Sequence, residues 1–106
     1  MADFLGLMKQ ATELKSKMEA MQAELDLIDV EGVAGGGLVT VKLTAKGELK
    51  NAHIDVSLMK VSERVIVEDL LVAAHADARR KAEALLQEKM KNLTGGLPLP
   101  PGLKLF

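Results

Sequence analysis

The first third of the chain carries apolar residues at the spacing of a helix that packs along one narrow seam. They recur in steps of four and three residues, at Leu7, Ala11, Leu14, Met18, Met21, Leu25 and Ile28. This a/d pattern is typical of a helix that packs lengthwise against another helix. We predict a helix from Asp3 to Ile28, about 39 Å long, with the Asp3 carboxylate capping its first turn.

The middle of the chain changes to the alternation that is typical of β-strands. Apolar and polar residues alternate over residues 39–44 and again over residues 51–56. This period of two predicts strands with one buried face. Residues 45–48 supply a turn between the two strands, and the glycine triplet 35–37 supplies a tight hairpin connection before them. A further strand over residues 29–34 would complete an antiparallel meander.

The last third predicts a second long helix that reaches about Leu93. Ser62 resembles an N-cap, and Glu63 places an acidic side chain in the first turn, where the helix dipole favours negative charge. The first half of this helix, from Val65 to Ala78, is broadly apolar, and we expect it to be well buried. The helix would be about 46 Å long.

These elements predict an α+β fold of the order α-β-β-β-α, in which a three-stranded antiparallel sheet lies between two long helices. Residues 1–96 form one domain, and residues 97–106, which contain three prolines, form a C-terminal tail that we expect to be flexible. The helices are longer than the sheet, so the apolar positions from Leu7 to Met18 and from Leu85 to Leu93 would face water in a monomer. A second copy related by two-fold symmetry would cover them, which predicts a homodimer with protruding arms.

Composition removes several classes of function. The chain has 106 residues, no cysteine and a net charge of −1. Disulfides, thiolate chemistry and cysteine-based zinc sites are therefore excluded. No apolar run is long enough to cross a bilayer, and the first residues do not resemble a secretory signal, so we expect a cytoplasmic protein without a membrane partner.

Candidate catalytic residues are few. His53 falls on the polar side of a strand, where we expect an exposed imidazole, and His75 falls at the margin of the buried helix face, where we expect a packing role. The glycine triplet lacks the Gly-Lys-Ser/Thr sequence of a phosphate-binding loop and does not begin a helix. We therefore expect no catalytic site, no metal, no cofactor and no small-molecule substrate.

Charge is distributed unevenly along the chain. Residues 1–31 carry a net charge of −4, whereas residues 79–106 carry a net charge of +4. An ordinary solvated helix face and a surface for phosphate groups both fit the basic segment, and composition leaves the two open. The absence of Tyr and Trp argues against single-strand binding by base stacking, but duplex binding through phosphates needs no aromatic residues.

The ordered set of short motifs resembles the YbaB/EbfC family of small bacterial nucleoid-associated proteins. The residues that carry the resemblance lie in five segments, Leu7 to Ala11, Glu31 to Val41, Ile54 to Leu58, Glu68 to Ala78 and Leu99 to Lys104. No single motif is specific, but the set covers essentially the whole chain in order. One departure is Val56, where the family usually has proline after Ile-Asp; this loosens the turn from strand to helix.

The resemblance implies a tweezer-shaped homodimer that binds double-stranded DNA in the nucleoid, without catalysis. It would contribute to nucleoid organisation and to gene regulation. The candidate DNA-binding residues are the basic ones on the two helices, namely Arg79, Arg80, Lys81, Lys89, Lys91, Lys9, Lys15 and Lys17. The alternative is a helical adaptor that binds another protein through an exposed seam or through the tail and does not bind DNA.

Overall fold

A computed structural model of the chain describes residues 2–93; the predicted tail at 97–106 lies outside the described residues. The elements follow one another as α1 (Ala2–Leu27), β1 (Asp29–Ala34), β2 (Val39–Thr44), β3 (Leu49–Ile54) and α2 (Arg64–Leu93). The predicted α-β-β-β-α order is confirmed. Asp3 does not cap α1 from outside, because the helix begins at Ala2 and places Asp3 in its first turn.

The sheet is an antiparallel meander in the order β1-β2-β3. Its inner face carries Val39, Val41 and Leu43, which are buried against α2. Its outer face is polar and carries ion pairs between neighbouring strands, such as that between Lys42 and Glu31 at 3.9 Å. The alternation along β2 therefore separates a core face from a charged face, as the period of two predicts.

The glycine triplet forms the tight connection between β1 and β2. Gly35, Gly36 and Gly37 all have positive φ, at 64°, 67° and 100°. L-residues with a side chain rarely adopt this conformation, so a run of three requires glycine.

The passage from β3 to α2 differs from the sequence prediction. β3 ends at Ile54, and Val56 lies instead in a short 3₁₀ turn, because the Asp55 carboxylate accepts hydrogen bonds from the Ser57 backbone N–H and hydroxyl group. Ser62 does not cap α2. It lies inside a second 3₁₀ turn, Val61–Glu63, and the helix begins only at Arg64.

α2 packs mainly on β1 and β2 through a row of small residues. Ala74, Ala78 and Ala82 are buried at this contact. Opposite them lies Gly32, where an added Cβ would stand 1.9 Å from the Ala74 carbonyl oxygen and 2.4 Å from the Ala78 nitrogen. The helix and the strand therefore approach each other more closely than any residue with a side chain at position 32 would allow.

The other face of the first half of α2 is not buried, which corrects the sequence expectation. Val72 lies two residues from Ala74, about 200° around the helix, and is 71% exposed. Val65 lies two turns earlier on the same outer face and is also exposed. Val61, in the turn before the helix, is also exposed. We call Val61, Val65 and Val72 the outer face of α2.

A second, smaller core joins the end of α1 to the end of α2. Met21, Leu25 and Ala45 are buried there, and around them pack four partly buried residues of α2, Leu85, Leu86, Met90 and Leu93. The overhang expected for the last part of α2 is therefore wrong, because the C-terminal part of the α1 seam covers it.

The N-terminal part of α1 extends past α2 as a free helix, which we call the arm (residues 3–18). Leu7 is 62% exposed and Leu14 is 42% exposed, whereas Leu25, on the same seam, is 1% exposed. The molecule measures 72 × 25 × 16 Å and has a radius of gyration of 19.3 Å. A compact chain of this length would have a radius of gyration of about 13 Å, so the overhang predicted for α1 is confirmed.

Candidate nucleic-acid interface

The eight basic residues named from the sequence fall into three groups along the molecule. Arg79, Arg80 and Lys81 lie in the middle of α2, beside the sheet. Lys89 and Lys91 lie near its end, where α1 crosses it. The third group, Lys9, Lys15 and Lys17, lies on the arm and is exposed. The structure therefore does not gather the candidates into one patch but spaces them along an elongated body.

The middle group is tied to acidic residues of the same helix. The Arg79 guanidinium lies 3.6 Å from the Glu83 carboxylate, and the Arg80 guanidinium lies 3.4 Å from the Asp77 carboxylate. Both arginines are more than half exposed in these pairs. Exposed pairs of this kind contribute about 0.3–0.5 kcal/mol, so a phosphate group can replace the carboxylate at little cost.

Lys81 has a different role, because it connects α2 to the edge strand of the sheet through a hydrogen bond. Its Nζ donates to the Glu31 carbonyl at 2.8 Å and lies 3.2 Å from the Asp77 carboxylate. Asp77 in turn accepts a hydrogen bond from the Val33 N–H at 3.0 Å. These backbone groups of β1 point away from β2 and would otherwise be open to another strand. The two side chains of α2 thus occupy the free edge of β1.

The electrostatics of Asp77 agree with this arrangement. The hydrogen bond from the Val33 N–H holds the pKa of the Asp77 carboxyl below its ordinary value, and Lys81 lowers that pKa further. The carboxylate is therefore charged throughout the physiological range. Asp77 is not among the residues that the sequence singles out. Its local signal is a lysine four residues later, a spacing that places both side chains on one helix face.

Lys89 fastens the two helices together. Its ammonium group forms an ion pair with the Glu24 carboxylate of α1 and is the less exposed partner of the two. A lysine that holds this crossing in place is poorly suited to a phosphate contact. Lys91, two residues further along α2, is exposed.

The lysines of the arm, Lys9, Lys15 and Lys17, are exposed. Among residues 2–93, no carboxylate lies within ion-pair distance of any of the three. Most of the acidic residues that make the N-terminal third negative lie after the arm and pair elsewhere, as Asp26 does with Lys46 at 3.5 Å. The arm itself carries three lysines against two acidic residues. The negative charge of residues 1–31 therefore does not extend to the arm.

The histidines offer no catalytic arrangement. His53 is exposed, as expected, and His75 is exposed as well, which corrects the packing role expected for it. In the part of the chain that the structure describes, no three metal-binding side chains come together. No helix among residues 2–93 is long and apolar enough to span a bilayer.

One pocket of about 210 Å³ lies where α1, α2 and the β2–β3 turn meet. Leu25, Ala82 and Leu86 form its apolar wall, and Arg79 and Glu83 lie at its rim. Arg79 and Glu83 pair with each other, and Lys46, which also lines the pocket, pairs with Asp26. Each charged side chain that lines this pocket therefore already has a partner of opposite charge.

Comparison with known proteins gives consistent results. Residues 1–97 match the model of the YbaB/EbfC DNA-binding family. The chain is 68% identical to a nucleoid-associated protein of Rhodopseudomonas palustris strain TIE-1 and 67% identical to a nucleoid-associated protein of Nitrobacter hamburgensis. Each alignment covers 99% of this chain and 99% of the relative. The matched family is a DNA-binding family and not a family of enzymes.

A solved structure shares the fold. The crystal structure of an uncharacterized protein from Helicobacter pylori superposes with a TM-score of 0.76 at 22% sequence identity. The superposition covers 84% of this chain and 94% of that one. At this level of identity the likeness concerns the arrangement of helices and strands alone.

Proposed function

Because this chain belongs to the YbaB/EbfC DNA-binding family, we propose that it is a nucleoid-associated protein that binds double-stranded DNA as a homodimer. The family match over residues 1–97 is the observation that carries the proposal. The names of the R. palustris and N. hamburgensis relatives support a place in the nucleoid. The protein would organise DNA and influence transcription without catalysing a reaction.

The dimer is supported by two exposed apolar surfaces that complement each other. The outer face of α2 is one of them. The other is the inner face of β3, where Leu49 and Ala52 are exposed although their partners in the register, Leu43 and Val41, are buried. A two-fold axis would place the outer face of each α2 against the uncovered β3 of the partner. Such an isologous contact removes both surfaces from water at once.

The DNA contacts are best assigned to basic side chains that contribute little to the stability of the fold. The arm lysines Lys9, Lys15 and Lys17 meet this condition because no acidic residue among the described residues pairs with them. Arg79 and Arg80 meet it because their ion pairs are exposed and weak. Contacts of this type bind phosphates, so they give affinity with little sequence preference.

The test measures binding of a random-sequence duplex between about 50 and 200 mM salt, the range over which phosphate contacts change affinity most visibly. Two variants are compared with the wild type, Lys9→Gln/Lys15→Gln/Lys17→Gln and Arg79→Gln/Arg80→Gln. Each lost phosphate contact should reduce the slope of log affinity against log salt by about 0.9, and unrelated duplexes should be affected alike.

A matched control removes the same charge elsewhere. Lys42→Gln/Lys46→Gln/Lys50→Gln neutralises three lysines at the sheet, each of which pairs with an acidic residue. Circular dichroism must show that all variants fold. If the control weakens binding as much as the arm variant, the assignment of contacts is wrong. If the wild type does not bind duplex DNA at the lowest salt concentration, the protein-adaptor function replaces the proposal.

A further inference from the structure

The arm carries an apolar row that nothing in residues 2–93 covers. The row continues the seam of α1 toward the N-terminus, in steps of three and four residues, at Phe4, Leu7, Ala11 and Leu14. Phe4 and Leu7 are each 62% exposed, whereas Met21, at which the seam reaches α2, is 6% exposed. An exposed row of this length, on a helix that has no other neighbour among these residues, needs a partner surface.

The same row of a second copy fits this surface when the two helices run antiparallel. Knobs-into-holes packing then sets Phe4 of each copy against Leu14 of the other. It also sets Leu7 of each copy against Ala11 of the other, where the small side chain leaves room for the large one. The contact uses only the part of the seam that α2 leaves free, because it ends before the buried Met21.

The side chains beside the row match as well. Asp3 and Lys17 lie on one flank of the row, two heptads apart, and both are exposed. In the antiparallel pair, Asp3 of each copy lies beside Lys17 of the other, so two ion pairs form across the two-fold axis. The other flank carries Met8, an apolar side chain that is 55% exposed, and this residue meets Met8 of the second copy. The two flanks therefore complement each other in charge and in polarity.

Other alignments of two arms lack this complementarity. An antiparallel pair that is shifted by one heptad places Asp3 beside Glu24 of the other copy, where the two carboxylates repel each other. A parallel pair places Asp3 beside Met8 and Lys17 beside Gln22. Among these three alignments, only the first joins side chains of opposite charge.

We propose that the arms of two chains pair side by side along this row, in antiparallel directions, through an interface distinct from the contact between α2 and β3. Each copy contributes the four apolar side chains of the row. A contact between two such short helical segments belongs to the class of interfaces below about 1,200 Å², which is typical of transient complexes. The pairing is therefore reversible, grows with protein concentration and does not require DNA.

The pairing affects the lysines of the arm unequally. Lys9 lies two residues after Leu7, about 200° around the helix, and stays exposed in the pair. Lys17 faces the second copy, so phosphate groups and a second arm compete for it. If the chains also dimerise through α2 and β3, each dimer has two free arms, and arm pairs join dimers into open chains. This last consequence rests on the proposed function, whereas the arm contact itself does not.

The first experiment measures crosslinking between arms. The protein has no cysteine, so a single cysteine and a short bifunctional maleimide report contacts between chains alone. Gln10 lies between Asp3 and Lys17 on the same flank and faces Gln10 of the second copy. We expect Gln10→Cys to crosslink about tenfold faster than Lys9→Cys, which differs by one position and lies away from the row. Equal rates for the two variants would overturn the proposal.

The same comparison is made in chains that also carry Val72→Glu, which places a carboxylate in the contact between α2 and β3. A faster rate for Gln10→Cys than for Lys9→Cys in these chains shows an arm contact that does not depend on that dimer. A difference that disappears with Val72→Glu would contradict an independent arm interface. Circular dichroism establishes that each variant is folded before the rates are compared.

The second experiment follows association by sedimentation velocity over a series of protein concentrations, in the presence of Val72→Glu. Leu7→Glu places a carboxylate in the row and should abolish the association, whereas Leu5→Glu, at a residue that is 68% exposed and lies off the row, should not. Lys17→Asp places like charges beside each other and should weaken the association roughly tenfold. Lys9→Asp makes the same change of charge outside the contact and should have no effect. The proposal is wrong if each control weakens association as much as its partner variant, or if no variant changes it.

Discussion

The close contact between Gly32 and α2 allows a sharp test of how the helix is seated on the sheet. In the variant Gly32→Ala, the new Cβ would lie 1.9 Å from the Ala74 carbonyl oxygen and 2.7 Å from the Ala78 Cβ. Real Cβ contacts essentially never fall below 3.0 Å. The helix or the strand must therefore move by more than 1 Å.

The magnitude follows from the atoms that obstruct the methyl group. Two of the three nearest atoms belong to the backbone of α2, so no side-chain rotation relieves the clash. Overpacking in a well-packed core costs about 1–3 kcal/mol, and a clash with backbone belongs at the upper end of that range. We expect a loss of about 3 kcal/mol in the free energy of unfolding. For a domain of this size that lowers the melting temperature by roughly 15 °C.

The assay is thermal and urea unfolding followed by circular dichroism at one protein concentration, since association would make stability depend on concentration. Gly6→Ala is the control, because Gly6 lies in α1 and an added Cβ there would have no atom within 4 Å apart from its chain neighbours and its own helix backbone. Alanine there should raise helix stability by about 1 kcal/mol. If Gly32→Ala unfolds at the same temperature as the wild type, the close packing of α2 on β1 described above is wrong.

Two further predictions concern the dimer and the β1 edge. Val72→Glu places a carboxylate on the outer face of α2 and should shift the sedimentation coefficient of the protein from that of a dimer to that of a monomer. Leu27→Glu, at a residue that is 85% exposed and lies outside the proposed contact, should leave the sedimentation coefficient unchanged. A wild type that sediments as a monomer at micromolar concentration contradicts the dimer. Asp77→Asn should reduce the free energy of unfolding at neutral pH. Because the pKa of Asp77 is lower in the folded state than its ordinary value of 3.8, the carboxylate stabilises the protein fully above pH 3.8, and this stabilisation is lost as the pH falls through the pKa of the folded state. Urea unfolding across this range should show the difference between Asp77→Asn and wild type shrinking at low pH, while Asp69→Asn on the exposed face should track the wild type throughout.

The helices and strands can be predicted from the amino-acid sequence alone, because their signals are local. The steps of three and four from Leu7 to Ile28 predict α1, and the alternation over residues 39–44 predicts β2, since both patterns report which side of an element is apolar. The strand at residues 29–34 has no such alternation, and the sequence predicts it only as the strand that completes the meander. The excess length of α1 over the sheet followed from the rise per residue alone. The family, too, is identified by the order of short motifs along the chain, which does not depend on how the helices and strands pack.

Which surface each apolar face contacts depends on how the helices and the sheet pack together. The seam of α1 is uniform in the sequence, yet Leu25 is buried by α2 and Leu7 is exposed. Likewise, the apolar composition of the first half of α2 predicts burial, yet Ala74 and Val72 face opposite sides and only one is covered. A hydrophobic pattern records a preference for leaving water, and it does not record which surface fulfils that preference.

The same limit explains the candidate interface. The basic cluster at Arg79, Arg80 and Lys81 is visible in the sequence, but the hydrogen bond from Val33 to Asp77, 44 residues away, is not. That bond and the close approach at Gly32 exist because α2 lies against β1 at one particular distance and angle. Local periodicity carries no information about this docking geometry. The sequence therefore does not show which lysines form contacts within the fold and which are available to contact a phosphate group.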